Sequence, residues 1–199
     1  MACLFCGSAA LEPLYEGIRD HYGIDQETRR FIRCRDCGSA ILDPLPSPEE
    51  LAALYSSDYT FKPTPGSSAL RRFLQTVEWR CFYEPGYRRR VALIRELTGL
   101  RAGLVLEVGC GSGLFLRHLR MAGYAVEGVE TSKGDVAYAR ESSGLTVFEG
   151  ALEELPLEPA RYDAVVMVNV LEHIPDPAAT LARIHTVLKP GDGQCWGFP

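Results

Sequence analysis

The second half of the chain predicts an α/β fold built on a parallel sheet. Short apolar runs alternate there with stretches of helical periodicity: strands at 104–108, 125–129, 145–148 and 163–168, and helices near 113–122, 133–142 and 177–188. Strands that alternate with helices are typical of a parallel sheet with right-handed crossovers. A fifth strand is expected at 194–198, although the segment "QCWGF" has a poor strand propensity.

Two cysteine motifs near the N-terminus predict a metal site. "CLFCGS" at 3–8 is repeated as "CRDCGS" at 34–39, so that Cys3, Cys6, Cys34 and Cys37 supply four thiolates. Four soft ligands in two Cys-x-x-Cys turns form the closed tetrahedral set typical of structural Zn²⁺. A redox role for each turn is the alternative, but it does not explain why the Gly-Ser tail is repeated. The ion would fold a segment too small for its own core.

The segment between the cysteines and the sheet predicts helices. Ser47 is the expected N-cap of a helix over 49–55, with Pro48 in its first turn. Further helices are expected at 69–83 and 87–98, with a break at Pro85-Gly86. The chain is therefore predicted to contain a zinc-ribbon-like domain at 1–46, a helical linker or cap at 47–100, and the α/β domain at 101–199.

Charge and hydropathy limit the classes of partner. The net charge is −5, and residues 102–199 carry seven basic and thirteen acidic side chains, which argues against broad nucleic-acid binding. No apolar run approaches the roughly 20 residues of a membrane helix, so no membrane contact is expected. The N-terminus lacks the charged and apolar regions of a signal peptide. We therefore expect a cytoplasmic protein with a small-molecule substrate.

A glycine-rich turn marks the candidate ligand site. In "LVLEVGCGSGLF" at 104–115, Gly109, Gly111 and Gly113 join a buried strand to the start of a helix. Free backbone N–H groups and the helix dipole make such a turn a nucleotide cradle. A P-loop is excluded because no Gly-Lys-Ser/Thr follows, and the spacing differs from the dinucleotide fingerprint Gly-x-Gly-x-x-Gly.

Two acidic residues narrow the choice of ligand. Glu107 stands two residues before the first glycine, where a carboxylate would repel a pyrophosphate. It suits a ligand with a cationic end, such as the amino and sulfonium groups of S-adenosylmethionine. Glu130 ends the next strand, where an acid accepts hydrogen bonds from ribose hydroxyls.

Several motifs in order resemble those of class I S-adenosylmethionine-dependent methyltransferases. They are "LEVGCGSG", "VEGVETS", "YDAVVMVNVLEHIPDP" and "LARIHTVLKPGDG", and the resemblance covers about 102–199. The cysteine turns followed by "DPLPSPEELAALYSSDY" are similar to a bacterial subgroup with an N-terminal zinc-binding domain, which includes C-methyltransferases of nucleotide-linked deoxysugars. The family sheet has seven strands in a Rossmann-like arrangement, so we expect a sheet truncated after its fifth strand.

The resemblance implies roles for individual residues. Glu107 would anchor the methionine end of the cofactor, and Glu130 would hold the ribose. Ala151 and Leu152 would hold the adenine through backbone groups, since many relatives have an Asp where this chain has Ala151. Asn169 would contact the methionyl group through its carbonyl. The implied cofactor-binding set comprises Glu107, Gly109, Cys110, Gly111, Gly113, Glu130, Thr131, Ala151, Leu152 and Asn169.

The implied activity is methyl transfer to a small polar acceptor, such as a sugar or a nucleotide-linked sugar. His173 is the best-placed general base if the acceptor loses a proton, and the alternative is that His173 only braces its turn. An RNA-modifying methyltransferase is a second hypothesis, motivated by Arg29, Arg30, Arg33 and Arg35 beside the second cysteine turn. A third is a fragment that binds the cofactor without activity.

Overall fold

The computed structural model describes residues 2–19, 28–47, 50, 83–191 and 194–198. The predicted helices at 49–55 and 69–83 therefore lie outside the described residues, apart from Glu50 and Tyr83. The chain divides into two compact units. The first contains the described N-terminal residues together with 173–181, and the second contains 83–172, 182–191 and 194–198. Within the described part of the chain, no helix is long and apolar enough to cross a membrane.

The first unit contains a three-stranded antiparallel sheet. Its strands are β1 (Leu11–Ile18), β2 (Arg29–Cys34) and β3 (Ala40–Asp43), in the order β1-β2-β3. The sequence predicts short strands at 31–33 and 40–42, on either side of the second cysteine turn, and β2 and β3 contain these residues. Strand β1 is not predicted, because it lacks a clear alternation of apolar residues. Pro13 is tolerated because β1 is an edge strand, and the register shifts between Pro13 and Tyr15.

Ser47 forms the predicted helix cap. The Glu50 amide donates to Ser47 Oγ (3.2 Å), and the Ser47 amide donates to Glu50 Oε2 (2.6 Å). This reciprocal pair is a capping box, in which each side chain satisfies a backbone donor that the helix leaves free. The N-cap prediction is confirmed.

The second unit contains a parallel sheet of five strands. They are β4 (Leu104–Val108), β5 (Ala125–Glu130), β6 (Thr146–Glu149), β7 (Ala164–Val168) and β8 (Gln194–Phe198). Their order is β6-β5-β4-β7-β8, and each neighbouring pair is parallel. The predicted α/β fold is confirmed, including the fifth strand.

Four helices accompany the strands: α1 (Glu84–Thr98), α2 (Leu114–Met121), α3 (Lys133–Ser143) and α4 (Pro177–Val187). The expected break at Pro85-Gly86 is wrong, because α1 runs through both residues. Pro85 lies in the first turn, where its missing N–H breaks no intrahelical hydrogen bond. Two short 3₁₀ turns, Leu152–Glu154 and Leu171–His173, were not predicted.

Apolar clusters pack helices against the parallel sheet. The central strands β4 and β7 are buried almost throughout. One cluster joins them to α1 and α2 through residues such as Ile94 and Leu119, and another packs α3 against Leu116 and Val147. Since the strands are parallel, their carboxyl ends meet at one edge, and the strand order reverses beside β4. Ligands of open α/β sheets bind at such a reversal.

Candidate functional site

The glycine turn after β4 requires its glycines. Gly109 and Gly113 have φ values of +70° and +76°, a region that favours glycine. A Cβ on Gly109 would lie 2.4 Å from Val170 Cγ2, and one on Gly113 would lie 2.5 Å from Leu145 Cδ1. Glycine is therefore needed for both conformation and space, and the turn leads into α2, which begins at Leu114.

Cys110 contributes its backbone rather than its thiol to the turn surface. Its amide donates to the Val129 carbonyl (3.1 Å), and its side chain is buried in the cluster that contains Leu116. A Cβ on Gly128 would lie 2.6 Å from the Cys110 sulfur, so this small residue in β5 makes room for the thiol. Burial raises the pKa of the Cys110 thiol, which makes it a poor nucleophile.

Glu130 links the glycine turn to the start of α3. Its Oε2 accepts a hydrogen bond from the Gly111 amide (2.8 Å), and its Oε1 accepts from the amides of Thr131 and Ser132 (2.8 Å each). The carboxylate therefore lies at the end of β5, beside the turn that follows β4. This is the relation that the sequence predicts for a ribose-binding acid.

Glu107 is buried and incompletely paired. Its side chain is 3% exposed, and Oε2 has no hydrogen-bond partner within the described part of the chain. Burial raises the pKa of Glu107; the Leu116 amide opposes that change, the negative charge of Glu130 adds to it, and the positive charge of Arg90 opposes it. Since an unpaired buried carboxyl oxygen is costly, its presence at a ligand-binding edge indicates a missing polar partner.

Helix α1 contributes two residues that no motif identifies. The Tyr87 ring stacks on Phe115 and His118, with ring centroids 5.7 and 4.9 Å apart. The Arg90 guanidinium carbon lies 5.8 Å from the Tyr87 ring centroid. Burial raises the pKa of Tyr87, and the charge of Glu107 adds to the shift. An aromatic ring and a cation therefore lie close to the buried carboxyl. In the sequence, the run of three arginines at 88–90 marks this helix as basic but does not place it beside Glu107.

The remaining predicted cofactor residues lie at the carboxyl ends of β6 and β7. Ala151 precedes the 3₁₀ turn Leu152–Glu154 in an extended conformation, and Leu152 is buried. Asn169 follows β7 with φ +53° and an exposed side chain. A left-handed residue other than glycine is uncommon and is concentrated at functional sites. The parallel sheet thus brings these positions to the same edge as Glu107 and Glu130.

His173 is placed differently from the cofactor set. It ends the 3₁₀ turn Leu171–His173, its side chain is exposed, and it belongs to the first unit. Whether it acts as a base or as a brace stays a prediction.

The four N-terminal cysteines form one cluster. Their sulfurs all lie within 4.8 Å of one another, and the short distances run between the two turns: Cys3 to Cys37 (3.5 Å) and Cys6 to Cys34 (3.6 Å). Disulfide sulfurs lie about 2.05 Å apart. Four sulfurs about 2.3 Å from one Zn²⁺ would be separated by about 3.8 Å, which is close to the observed distances. The donor set therefore fits a tetrahedral metal ion.

The repeated Gly-Ser tail has a structural explanation. In each turn the first cysteine amide donates to the serine carbonyl, and the glycine amide donates to the first cysteine carbonyl, at 2.8–2.9 Å. Both glycines have positive φ, +72° at Gly7 and +76° at Gly38. The two turns are thus built alike around one centre.

Comparisons with known proteins agree with this geometry. Residues 106–195 match a family model described as "Methyltransferase domain". The chain is 37% identical over 108 residues to the ubiquinone biosynthesis O-methyltransferase of Azotobacter vinelandii, a match that covers 51% of this chain and 47% of that protein. It is 35% identical over 111 residues to the protein of the same name from Pseudomonas paraeruginosa, with the same coverage. The match thus spans about half the length of these curated relatives.

A solved structure supports the fold. A Methanococcus maripaludis protein described as an S-adenosyl-L-methionine-dependent methyltransferase superposes with a TM-score of 0.55 at 17% sequence identity, covering 69% of this chain and 67% of that one. At this identity the likeness concerns the fold alone. Residues 106–195 thus resemble a methyltransferase domain in sequence, and the strand order of the parallel sheet agrees with that resemblance.

Proposed function

We propose that the protein transfers a methyl group from S-adenosylmethionine to a small polar acceptor. The observation that carries this proposal is the buried Glu107 Oε2 beside the glycine turn, which has no hydrogen-bond partner among the residues that the structure describes. Glu130 lies one strand away. Two carboxyl groups suit a ligand with a cationic amino-acid end and a ribose diol, and they disfavour a pyrophosphate. The residues present therefore fit this cofactor.

Each cofactor contact is assigned to a residue at the carboxyl edge of the sheet. Glu107 binds the ammonium group, and Glu130 accepts hydrogen bonds from the ribose hydroxyls. The backbone of Ala151 and Leu152 holds the adenine, and the Asn169 carbonyl contacts the methionyl group. The bound cofactor supplies an activated methyl group, and the protein contributes by aligning the acceptor with it.

Calorimetry with S-adenosylhomocysteine tests the cofactor assignment. Replacing Glu130 with Ala removes the acceptor for the ribose hydroxyls and should weaken binding by about 1–3 kcal/mol. Glu149→Ala, which changes a half-exposed acid at the end of β6, is the matched control and should have a smaller effect. Tighter binding of NAD than of S-adenosylhomocysteine would contradict the assignment.

The acceptor is proposed to be a small molecule that presents a hydroxyl or an acidic carbon. The resemblance of the N-terminal half points to sugars and nucleotide-linked sugars, whereas the names of the relatives describe O-methyl transfer. If the acceptor must lose a proton, His173 is the proposed base. His173→Asn should then lower kcat and remove the acidic limb of its pH profile, whereas a bracing role would leave that limb in place.

The cysteine cluster is proposed to hold one structural Zn²⁺. All four positions are filled by protein sulfurs, so the ion would have no open position for catalysis. The short distances between turns also disfavour the redox alternative, which would pair the cysteines within each Cys-x-x-Cys turn. Elemental analysis should find one zinc per chain.

RNA is a less favoured acceptor because three of the four arginines that motivate it already pair with other groups of the protein. Arg29 is 6% exposed and donates to the Pro44 carbonyl (2.7 Å). Arg30 pairs with Asp43 (2.7 Å), and Arg35 pairs with Glu12 (2.8 Å). Salt-dependent retention of RNA at low ionic strength would restore this hypothesis. Cofactor binding without methyl transfer to any acceptor would instead favour a fragment that lacks activity.

A further inference from the structure

Two buried glutamates on neighbouring strands differ in the hydrogen-bond partners of their carboxyl groups. Glu127 in β5 is 9% exposed, and its carboxylate accepts hydrogen bonds from the Tyr162 hydroxyl (2.7 Å) and from the Arg161 guanidinium. Glu107 in β4 is more deeply buried, at 3% exposed, and one of its oxygens has no partner in the described chain. Glu127 has a built-in counter-charge, whereas Glu107 faces the ligand-binding edge.

Within the described part of the chain, the groups that face Glu107 do not supply a full counter-charge. Helix α2 contributes the Leu116 amide, and the glycine turn contributes the Cys110 thiol. The end of β5 contributes the negative charge of Glu130, and α1 contributes Tyr87 and the half-exposed Arg90. Burial and Glu130 outweigh the Leu116 amide and Arg90, so the pKa of Glu107 lies well above its ordinary value.

We propose that Glu107 is protonated in the cofactor-free protein and releases its proton when the ammonium end of the cofactor binds. This inference rests on the proposed function. The O–H bond of the carboxyl breaks, the proton leaves to the buffer, and the carboxylate pairs with the incoming cation. One positive charge replaces another in the buried site, so the exchange leaves the net charge around Glu107 unchanged. An ionised carboxylate therefore never stands alone in a dry environment.

The sign of the pH dependence follows from these two states. The free protein holds the proton more tightly than the complex, so binding releases it and affinity increases with pH. Between the two values of the Glu107 pKa, the dissociation constant should fall about tenfold per pH unit. Above the value of the free protein the dependence should flatten. It should reverse where the ligand's own amino group loses its proton, near pH 8 for an ordinary α-amino group.

Calorimetry in two buffers measures the released proton directly. S-adenosylhomocysteine is titrated into the full chain at pH 6 in phosphate and in histidine buffer, whose ionisation enthalpies differ. The difference in observed enthalpy should correspond to about one proton released by the native protein. 5′-Methylthioadenosine, which lacks the amino-acid end, should bind without proton release.

Two variants separate Glu107 from the other acid of the site. Glu107→Gln is the neutral isostere of the protonated side chain, so it should fold, bind S-adenosylhomocysteine more weakly and release no proton. Glu130→Gln should also weaken binding but retain the release. Carbon-13 NMR of the free native protein should show the Glu107 carboxyl protonated at pH 6.

The outcomes distinguish this inference from the function on which it rests. Binding of S-adenosylhomocysteine without proton release, or equal release by Glu107→Gln, would overturn the coupling and leave the cofactor assignment intact. An ionised Glu107 in the free protein would do the same. A native protein that does not bind S-adenosylhomocysteine at all would overturn both.

Discussion

The two sheets of this protein are held together by different means. Among the described residues, the antiparallel sheet β1–β3 has a buried cluster of four: Cys3, Ile32, Cys34 and Ile41. Two of the four are cysteines of the proposed metal site. The parallel sheet instead has larger apolar clusters, built from strands and helices. We therefore propose that the small sheet depends on a metal ion for its stability, whereas the large sheet depends on the burial of apolar side chains.

The difference also concerns where the protein can place a functional group that is costly to bury. A bound structural Zn²⁺ contributes about 10–16 kcal/mol to the folding of a small domain, whereas burial of one aliphatic side chain contributes about 1.5–3 kcal/mol. The cysteine turns use four polarisable side chains to replace many apolar ones. The parallel sheet has enough apolar burial to tolerate one buried carboxyl oxygen, Glu107 Oε2, that has no hydrogen-bond partner among the described residues.

Removal of the metal should have the largest effect on stability, and it should unfold the antiparallel sheet while the parallel sheet stays folded. A strong chelator should expose the amides of β1–β3 to hydrogen exchange and leave β4–β7 protected, because only the small sheet depends on the ion. Cys34→Ser should reproduce this result, while Cys110→Ala, at a buried cysteine outside the cluster, should keep one zinc per chain. Simultaneous loss of protection in both sheets would contradict the comparison.

A cavity in the apolar core should affect the large sheet alone. Leu119 is fully buried in the cluster that joins α1 and α2 to the sheet. Leu119→Ala should lower the free energy of unfolding of this unit by about 2–5 kcal/mol, as measured by urea denaturation, because the site cannot collapse fully. Zinc content should not change. Met121→Ala on the same helix, at a position 76% exposed, is the control and should cost little.

Two glycine substitutions should have a smaller effect on stability and should test whether the glycine turn after β4 forms part of the cofactor site. Gly109→Ala places a side chain in a left-handed turn and against Val170, whereas Gly123→Ala has the strain (φ +98°) but no atom within 4 Å. Both variants should lose about 1–2 kcal/mol of stability from backbone strain, and Gly109→Ala should lose more. Calorimetry should show weaker S-adenosylhomocysteine binding for Gly109→Ala only. Equal affinities of the two variants for S-adenosylhomocysteine would show that the glycine turn is not part of the cofactor site.

Much of the fold could be predicted because local patterns and tertiary structure agree. The strand 104–108 and the helix cap at Ser47 were found from short apolar runs and capping residues. Strand β1 was missed because it is stabilised by pairing with β2 rather than by its own pattern. The helix break at Pro85-Gly86 was wrong because proline is compatible with a first helical turn.

The parts of the candidate site that depend on local backbone conformation could be predicted from the sequence. The glycines of the turn and the cysteine spacing are required locally, so they can be read from sequence. The proximity of Tyr87 and Arg90 to Glu107 depends on how α1 packs against α2, and no local pattern determines such packing. Likewise, only the folded structure shows that Glu107 Oε2 has no hydrogen-bond partner among the described residues.

A crystal structure of the zinc-loaded protein with S-adenosylhomocysteine tests the central claim most directly. The account predicts the ligand at the carboxyl edge of the parallel sheet, its ammonium group within about 3 Å of Glu107 Oε2 and its ribose hydroxyls on Glu130, as hydrogen bonding requires. A ligand bound elsewhere, or bound at this edge with Glu107 still unpaired, would contradict it.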